Sequence, residues 1–341
     1  MRCSDLAELP APPPDKAGWP WIADGAAQCS RTRPDSYTWP CISIVTPSYN
    51  QGQFIEETIR SVLLQGYPNL EYIIRDGGST DGSVDIIKKY EPWLTCWTSE
   101  QDGGQADAIN KGFSACTGEL LGFINSDDLY ARGALQAIVA TWTSAGRPRN
   151  ALVCGRVKDI DAAGVPLPQM FEPIKLGTLN EWLTWGISIH QPGCFWTAET
   201  WRRFGPLPSN FHYIFDRYFF LKIAAQGESA FVISNSLISF FRMHPNSKSG
   251  SKSAEFSQEW EAAVDRLRTD VPFRHRMVID FVKWKKRNSD FASKVLSETD
   301  VQAARRLLIR HMMCDPVSIF LRPILGATRR LMLHSNLREW G

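Results

Sequence analysis

Two adjacent carboxylates follow a short apolar run near the middle of the chain. Residues 120–124 read Leu-Leu-Gly-Phe-Ile, and an Asn-Ser pair then leads into Asp127 and Asp128. Adjacent carboxylates at the end of a buried strand repel each other unless a cation or a donor-rich ligand lies beside them. The pattern therefore fits a ligand site, because open α/β sheets bind ligands at the carboxyl ends of their strands. It equally fits the cap of a helix that begins near Ala131.

A third carboxylate, Asp76, follows another predicted strand, residues 70–75, and precedes Gly-Gly-Ser-Thr-Asp-Gly. A carboxylate in this position can accept a hydrogen bond from the N3–H of a uracil-type base or from ribose hydroxyls. The glycines would let a ligand approach the backbone closely. An Asp-Gly turn, with Asp81 capping the next helix, explains part of the same pattern. The sequence has neither G-x-G-x-x-G after its first strand nor G-x-x-x-x-G-K-[ST], the fingerprints of dinucleotide and P-loop sites.

Four strand–helix units between residues 41 and 140 are the elements that must position these carboxylates. Apolar β-branched runs predict strands at 41–45, 70–75, 95–98 and 120–124, and apolar residues at helical spacing follow each of them. This alternation predicts right-handed crossovers and a mostly parallel sheet flanked by helices, an α/β fold. The polar strand–helix junctions then share one edge of the sheet, which is the predicted site.

The pattern loosens after residue 140. Further elements are predicted as strands at 152–157 and 230–241, short helices at 177–183 and 214–225, a strand or loop at 187–196 and a polar loop at 242–253. From residue 254 onward the chain is predicted to be helical throughout. Its last part, residues 319–333, is basic and amphipathic. Packing against the main domain is the favoured interpretation, and peripheral contact with a membrane surface is the alternative.

Composition excludes several classes of protein. The chain has 341 residues and a net charge of +2, so no global field favours nucleic acid as a partner. The 8 cysteines never form a C-x-x-C pair, which excludes a zinc ribbon, and no signal peptide precedes them. Reduced thiols and a cytoplasmic protein, with the inner membrane face as a further possibility, are therefore expected. The proline-rich residues 1–40 predict an extended or disordered lead-in, with Trp19, Trp21 and Trp39 as anchors on the domain.

Four motifs of the chain occur in a characteristic order. They are Ile-Val-Thr-Pro-Ser-Tyr-Asn at 44–50, Asp-Gly-Gly-Ser-Thr-Asp-Gly at 76–82, Asp-Ala-Ile-Asn-Lys-Gly at 107–112 and Asn-Ser-Asp-Asp at 125–128. Together they resemble the family 2 inverting glycosyltransferases, which have the GT-A fold. The resemblance covers about residues 41–245. It implies a GT-A domain at 41–250, after the lead-in at 1–40, and a helical C-terminal extension at 251–341.

The resemblance also implies a role for individual residues. A sugar nucleotide would be bound by Thr46, Pro47, Tyr49, Asp76, Gly104, Gln105, Asn110 and Asp127. A divalent cation, Mg²⁺ or Mn²⁺, would be held by Asp128 and Asp127, with His244 as a further ligand. A cation is needed because a nucleoside diphosphate departs poorly unless the charge developing on its phosphates is neutralised.

Three positions further along the chain match the family's acceptor side. Asp216 would be the general base that takes the proton of the acceptor hydroxyl, and His190 with Gln191 would line the acceptor pocket. Lys248, by contrast, would contact a phosphate group of the donor. Each has a plainer interpretation: Asp216 as a carboxylate at a helix N-terminus, His190–Gln191 as a core pair, and His244 as a solvated loop residue.

The loop at Gln101–Gly104 departs from the family, because many relatives carry Arg or Lys beside its first glycine. A cation for the diphosphate must then come from elsewhere, or the backbone N–H groups of this loop must suffice.

The implied function is an inverting hexosyltransferase using a UDP- or dTDP-linked sugar, with a saccharide or lipid-linked acceptor in cell-surface glycan synthesis. Two rivals remain. A nucleotidyltransferase would show a basic residue in 46–52, which has none; a catalytically inactive sugar-nucleotide-binding or scaffold protein would keep the fold without turnover.

Overall fold

A computed structural model describes most of the chain and divides it into two compact units. The described residues are 8–22, 38–168, 179–185, 189–226, 230–245, 247–248, 253–298 and 300–336. The first unit is Met1–Thr178 with Ile187–Asp270, and the second is Leu179–Gly186 with Val271–Gly341. Several predictions fall partly outside the described residues: most of the lead-in, the start of the helix at 177, the start of the segment at 187 and half of the loop at 242–253.

The first unit contains a mixed sheet. Its strands are β1 (Ile42–Ser48), β2 (Leu70–Asp76), β3 (Cys96–Ser99), β4 (Leu120–Phe123), β5 (Leu129–Tyr130), β6 (Ala151–Ile160), β7 (Cys194–Thr197) and β8 (Ala230–Arg242). The spatial order is β3-β2-β1-β4-β7-β6-β8-β5. The pairs β1–β2, β1–β4, β2–β3 and β6–β8 are parallel, whereas β7 runs antiparallel between β4 and β6, and β5 antiparallel to β8.

Helices cover this sheet. They are α1 (Ile55–Leu63), α2 (Ser83–Tyr90), α3 (Gln105–Ser114), α4 (Ala134–Ser144), α6 (Ala198–Phe204), α7 (Phe215–Gln226) and α8 (Ser253–Asp270). In α1 the residues Ile55, Ile59 and Val62 are fully buried, as their helical spacing predicts. Helix α3 approaches β1 closely at Gly112, where a Cβ atom would lie 2.5 Å from a methyl carbon of Val45. The α/β class and the four predicted strand–helix units are confirmed.

The register of the sheet gathers the strand–helix junctions. Ser48, the last residue of β1, pairs with Asp76 at the end of β2, and Asp76 pairs with Ser99 at the end of β3. Val45 of β1 pairs with Phe123, the last residue of β4. The strands are parallel, so the loops that follow β1, β2, β3 and β4 lie along one edge of the sheet. This edge carries the candidate site.

Residues 8–22, called here the N-terminal strap, pack onto the first unit beside α1. Trp19 Nε1 donates to the carbonyl of Tyr130 at 2.8 Å, and Trp21 Nε1 donates to Glu57 Oε1 at 3.1 Å. The buried guanidinium of Arg60 donates to carbonyls of the strap at Pro10, Pro20 and Trp21. These contacts confirm the predicted anchoring by Trp19 and Trp21, and they make the strap part of the folded unit.

The second unit is helical. It comprises α5 (Leu179–Trp185), α9 (Phe273–Ser297), α10 (Val301–Cys314), a 3₁₀ turn (Pro316–Phe320) and α11 (Arg322–Asn336). Its last three helices share a small core of their own, formed by Ala292, Val295, Ala304, Leu308, Ile324, Ala327 and Leu331. No described helix combines the length and the apolarity needed to cross a bilayer.

Candidate active site

A cavity of about 1000 Å³ opens at the carboxyl edge of β1, β2 and β4. Its wall is formed by the strand–helix junctions, by the segment before α7 and by the loop after β8. Of the residues predicted to have a role in the site, those on the wall are Pro47, Tyr49, Gly104, Gln105, Asp127, His190, Gln191, Asp216 and Lys248. The fold thus brings together side chains from positions 47 to 248 of the chain.

Asp127 and His244 form a close pair at this wall. Asp127 Oδ2 lies 3.0 Å from His244 Nε2, and the imidazole is buried directly behind the cavity wall. The ring of Phe54 packs against the imidazole, with centroids 4.8 Å apart. Among the described residues, no three His, Cys, Asp or Glu side chains gather closely enough to hold a metal ion by themselves. As potential metal ligands, the pair provides one carboxylate oxygen and one imidazole nitrogen.

Asp128 lies beneath Asp127 and is 1% exposed. Its Oδ1 accepts from the backbone N–H of Arg242 at 2.9 Å, and its Oδ2 accepts from Asn125 Nδ2 at 3.1 Å. Burial, and then the adjacent charge of Asp127, raise the pKa of Asp128 well above its usual range. The pair therefore divides into an inner and an outer carboxylate, of which Asp127 faces the cavity. The predicted coordination of a cation by Asp128 stays a prediction.

Arg242 holds the two aspartates in place, a role that sequence reasoning missed. Its guanidinium is 1% exposed, donates to the carbonyl of Asp127 at 2.8 Å and pairs with Glu57 Oε2 at 2.5 Å. It also lies over the ring of Phe54 at 4.8 Å. Since Glu57 accepts from Trp21 of the N-terminal strap as well, a chain of contacts runs from the strap to the Asp127–Asp128 turn.

The loop that lacks a basic residue is closed by its own carboxylates. Gly103 N donates to Asp107 Oδ2 at 2.9 Å, and Gly104 N donates to Asp102 Oδ1 at 2.7 Å. Gly104 has φ +100°, a conformation that favours glycine. Lys248 Nζ donates to Gln105 Oε1 at 2.9 Å and so brings an ammonium group to this loop, while its predicted contact with phosphate stays a prediction.

Asp216 lies in the first turn of α7 and on the cavity wall. Burial raises the pKa of its carboxyl, and Arg217 N donates to Oδ1 at 2.7 Å. The turn before it is fixed by Glu259 of α8, whose carboxylate accepts from the backbone N–H groups of His212, Tyr213 and Ile214. Sequence reasoning missed Glu259, and it missed Asp159, Arg217 and Phe256, which also line the cavity.

The residues predicted to bind the nucleoside divide into two groups, one on the cavity wall and one buried behind it. Tyr49 and Pro47 line the cavity, and Tyr49 is largely exposed there. Thr46 is buried behind them, with Oγ1 3.1 Å from the hydroxyl of Tyr72. Asp76 is buried as well and accepts from the N–H of Gly78, from the N–H and the hydroxyl of Ser79, and from the hydroxyl of Ser99. Its clearest role is therefore to shape the glycine loop.

Asn110 is not among the described residues of the cavity wall. Its amide exchanges two hydrogen bonds with the backbone of Leu207, at 2.8 and 2.9 Å, and so fastens α3 to the segment before α7. On the acceptor side, His190 and Gln191 both line the cavity. Gln191 Nε2 donates to the carbonyl of Phe123 at 2.7 Å, which ties this wall to the end of β4.

Part of the chain is similar to known proteins. Residues 43–201 match the glycosyl transferase family 2 model. The putative teichuronic acid biosynthesis glycosyltransferase TuaG of Bacillus subtilis is 39% identical over 100 residues, which are 28% of this chain and 40% of that protein. The uncharacterized glycosyltransferase alr2836 of Nostoc is 32% identical over 151 residues, 41% of this chain and 47% of that protein. The chain thus spans less than half of the length of these relatives.

Solved structures share the fold at low sequence identity. S. aureus TarS 1–349 in complex with UDP-GlcNAc aligns with a TM-score of 0.54 and 17% identity, over 70% of each chain. The mannosyltransferase PcManGT of Pyrobaculum calidifontis, in complex with GDP-Man and Mn²⁺, aligns with a TM-score of 0.50 and 15% identity, over 92% of this chain and 93% of that one. The predicted GT-A-type fold with a helical C-terminal region is confirmed. The segment from β1 to α6 thus matches glycosyl transferase family 2, and the chain has the fold of these neighbours.

Proposed function

We propose that the chain transfers a hexosyl group from a nucleoside-diphosphate sugar to a saccharide or lipid-linked hydroxyl, with inversion, in cell-surface glycan synthesis. One observation carries this proposal: Asp127, Lys248 and the half-buried carboxylate of Asp216 line a single cavity, and His244 pairs with Asp127 at its wall. These are the group types that the transfer requires, namely binders of a charged leaving group and a base for the acceptor. The teichuronic acid relative supports the cell-surface role.

The donor set at Asp127 fits a divalent cation. One carboxylate oxygen and one imidazole nitrogen lie 3.0 Å apart, close enough to share an ion, and few protein ligands suffice when the diphosphate supplies the others. Asp127 and His244 would hold Mn²⁺ or Mg²⁺, and Asp128 with Arg242 would fix the turn that carries Asp127. When bound, the cation would neutralise the charge that develops on the leaving diphosphate. The Mn²⁺-containing neighbour supports this assignment.

The remaining roles follow from position. Tyr49 offers an exposed aromatic face for a nucleobase, for which we keep uracil or thymine as the expected class, and Lys248 offers an ammonium group for the diphosphate. Asp216 takes the proton of the acceptor hydroxyl. The acceptor oxygen then bonds to the anomeric carbon from the face opposite the diphosphate, and the bond to the diphosphate breaks with inversion. His190 and Gln191 would orient the acceptor.

Isothermal titration with UDP, dTDP and GDP, each with Mn²⁺ and with EDTA, tests the donor assignment. We expect one nucleotide to bind with Mn²⁺, and EDTA or Asp127→Ala to weaken its binding at least roughly tenfold, because Asp127 faces the cavity as a ligand. Asp85→Asn, an exposed carboxylate on α2, is the matched control and keeps wild-type affinity. Metal-independent binding would contradict the cation role. Binding without transfer to any acceptor would instead establish the inactive, sugar-nucleotide-binding alternative.

Lys248→Gln tests the source of the missing positive charge. We expect its Kd for the nucleoside diphosphate to rise about tenfold, because a charge-assisted contact to phosphate is lost. Affinity for the nucleoside without phosphates should not change. Lys89→Gln, on the exposed side of α2, is the control. Equal losses for nucleoside and diphosphate would show that Lys248 only supports the loop at Gln105.

A further inference from the structure

The two units of the chain differ sharply in charge. Residues 271–341 contain 14 Lys and Arg but 6 Asp and Glu, a net charge of +8, although the whole chain carries only +2. Residues 1–270 therefore carry −6. The nearly neutral net charge of the whole chain therefore conceals a basic helical segment and an acidic remainder that contains the candidate site. Such an asymmetry points to a partner with a negative surface.

The same basic unit exposes most of the large apolar side chains on the surface. Of the twelve exposed large hydrophobic side chains among the described residues, nine lie between 273 and 325. They are Phe273, Met277, Phe281, Leu296, Ile309, Met313, Val317, Phe320 and Leu325. Phe273, Met277 and Phe281 recur every four residues and so form one stripe along α9. A concentration of this kind marks an interaction surface.

Four of these apolar side chains lie on α10 and the 3₁₀ turn after it, and exposed arginines accompany them. Helix α10 turns Ala304 and Leu308 into the core, whereas Arg306, Arg310 and Met313 point to solvent from the opposite face. The exposed apolar residues continue through the turn to Phe320, which is 81% exposed. We call Arg306, Ile309, Arg310, Met313, Val317 and Phe320 the basic–apolar face.

We propose that the basic–apolar face docks onto the surface of a bilayer that contains anionic phospholipids. Ile309, Met313, Val317 and Phe320 would enter the headgroup–acyl boundary, and Arg306 and Arg310 would pair with lipid phosphates. Amphipathic helices bind membrane surfaces in the same way, by apolar insertion combined with electrostatic attraction to anionic lipids. The only acidic residue between 301 and 336, Asp315, is occupied by Trp284 Nε1 at 2.6 Å, so little negative charge opposes the contact.

The composition of the face favours lipid over other negative partners. A soluble polyanion would be met by charge alone and would leave Met313, at 80% exposure, and Phe320 in water. A second copy of this chain would bring another such segment, residues 271–341 with net charge +8, against the first, and like charges would repel. A bilayer satisfies both kinds of side chain at once. The proposal does not depend on the donor or on the reaction at the cavity.

Vesicle co-sedimentation of the full chain tests the proposal. Vesicles of phosphatidylcholine alone are compared with vesicles that also contain phosphatidylglycerol. We expect binding to the anionic vesicles, weakened by salt. The double variant Met313→Ser/Phe320→Ser should partition at least about tenfold more weakly, because it lacks two large apolar groups that would enter the bilayer. Arg306→Gln/Arg310→Gln should weaken the preference for anionic lipid. Val165→Ser, an exposed apolar residue of the first unit, is the matched control and binds as the wild type does.

Several outcomes overturn the proposal. One is the absence of vesicle binding, and another is binding that both double variants retain. Binding to dextran sulfate but not to vesicles, lost only in the arginine variant, would identify a soluble polyanion as the partner. A dimer seen by light scattering that Met313→Ser/Phe320→Ser dissolves, without vesicle binding, would identify a second copy. Both altered apolar side chains are exposed, so these substitutions open no cavity in the core, and circular dichroism checks that the helices remain.

Discussion

Asp216→Asn is expected to lower kcat by about a thousandfold while leaving the Kd of the nucleotide unchanged. The amide cannot take the proton of the acceptor hydroxyl, yet it keeps the size and the hydrogen bonds of the carboxylate at the start of α7. The pH dependence of kcat provides a second test of this role. Burial raises the pKa of Asp216, and a base must be ionised to act, so kcat should fall as the pH drops through that raised pKa.

The measurement is the rate of sugar transfer across pH, with nucleotide affinity determined separately. Asp85→Asn should behave as the wild type does, because its carboxylate is exposed on α2 away from the cavity. A variant at position 216 with the wild-type kcat would remove Asp216 from its proposed role. Asp159, the other acidic side chain of that cavity wall besides Asp102 and Asp127, would then be the next candidate.

Arg242→Met is expected to destabilise the first unit by about 3–5 kcal/mol. The substitution leaves Glu57 and the carbonyl of Asp127 without the guanidinium that now pairs with them in the protein interior. Urea unfolding, with the transition of the first unit fitted separately, measures this change. Metal-dependent nucleotide binding should weaken in the same variant, because the turn that carries Asp127 loses its support.

The control for this effect is a pair of further variants. Arg149→Met removes an arginine whose side chain is 85% exposed and should leave the unfolding transition in place. The double variant Arg242→Met/Glu57→Met should recover part of the lost stability, because it removes both charges of the ion pair instead of one. If the single variant at 242 unfolds at the wild-type urea concentration, the ion pair contributes nothing to the fold.

The sequence was sufficient for those parts of the fold that local patterns determine. The apolar run at 120–124 and the spacing in α1 depend only on near neighbours, and both elements are where they were predicted. The edge that collects Asp76 and Asp127 follows from strand–helix alternation alone. The short strand β5 and the antiparallel β7 carry no comparable signal, because each exists only by pairing with distant residues.

The site shows the same division. Tyr49, Asp127 and Asp216 could be singled out from their motifs, and all three line one cavity, although their chemical roles stay predictions. Arg242 and Glu57 are 185 positions apart, and the local sequence around neither residue predicts the contact. Glu259 likewise stabilises the turn before Asp216 from a helix whose sequence reads only as an exposed, mixed-charge surface.

The N-terminal strap limits how far the chain can be shortened from its N-terminus. Sequence similarity begins at residue 43, which invites expression of a shortened catalytic fragment from that point. Such a fragment would leave the guanidinium of Arg60 inside the protein without three of its carbonyl partners, and Glu57 without Trp21. Fusion tags and protease sites therefore belong before residue 8, and a protein trimmed to residue 43 would be expected to misfold or aggregate.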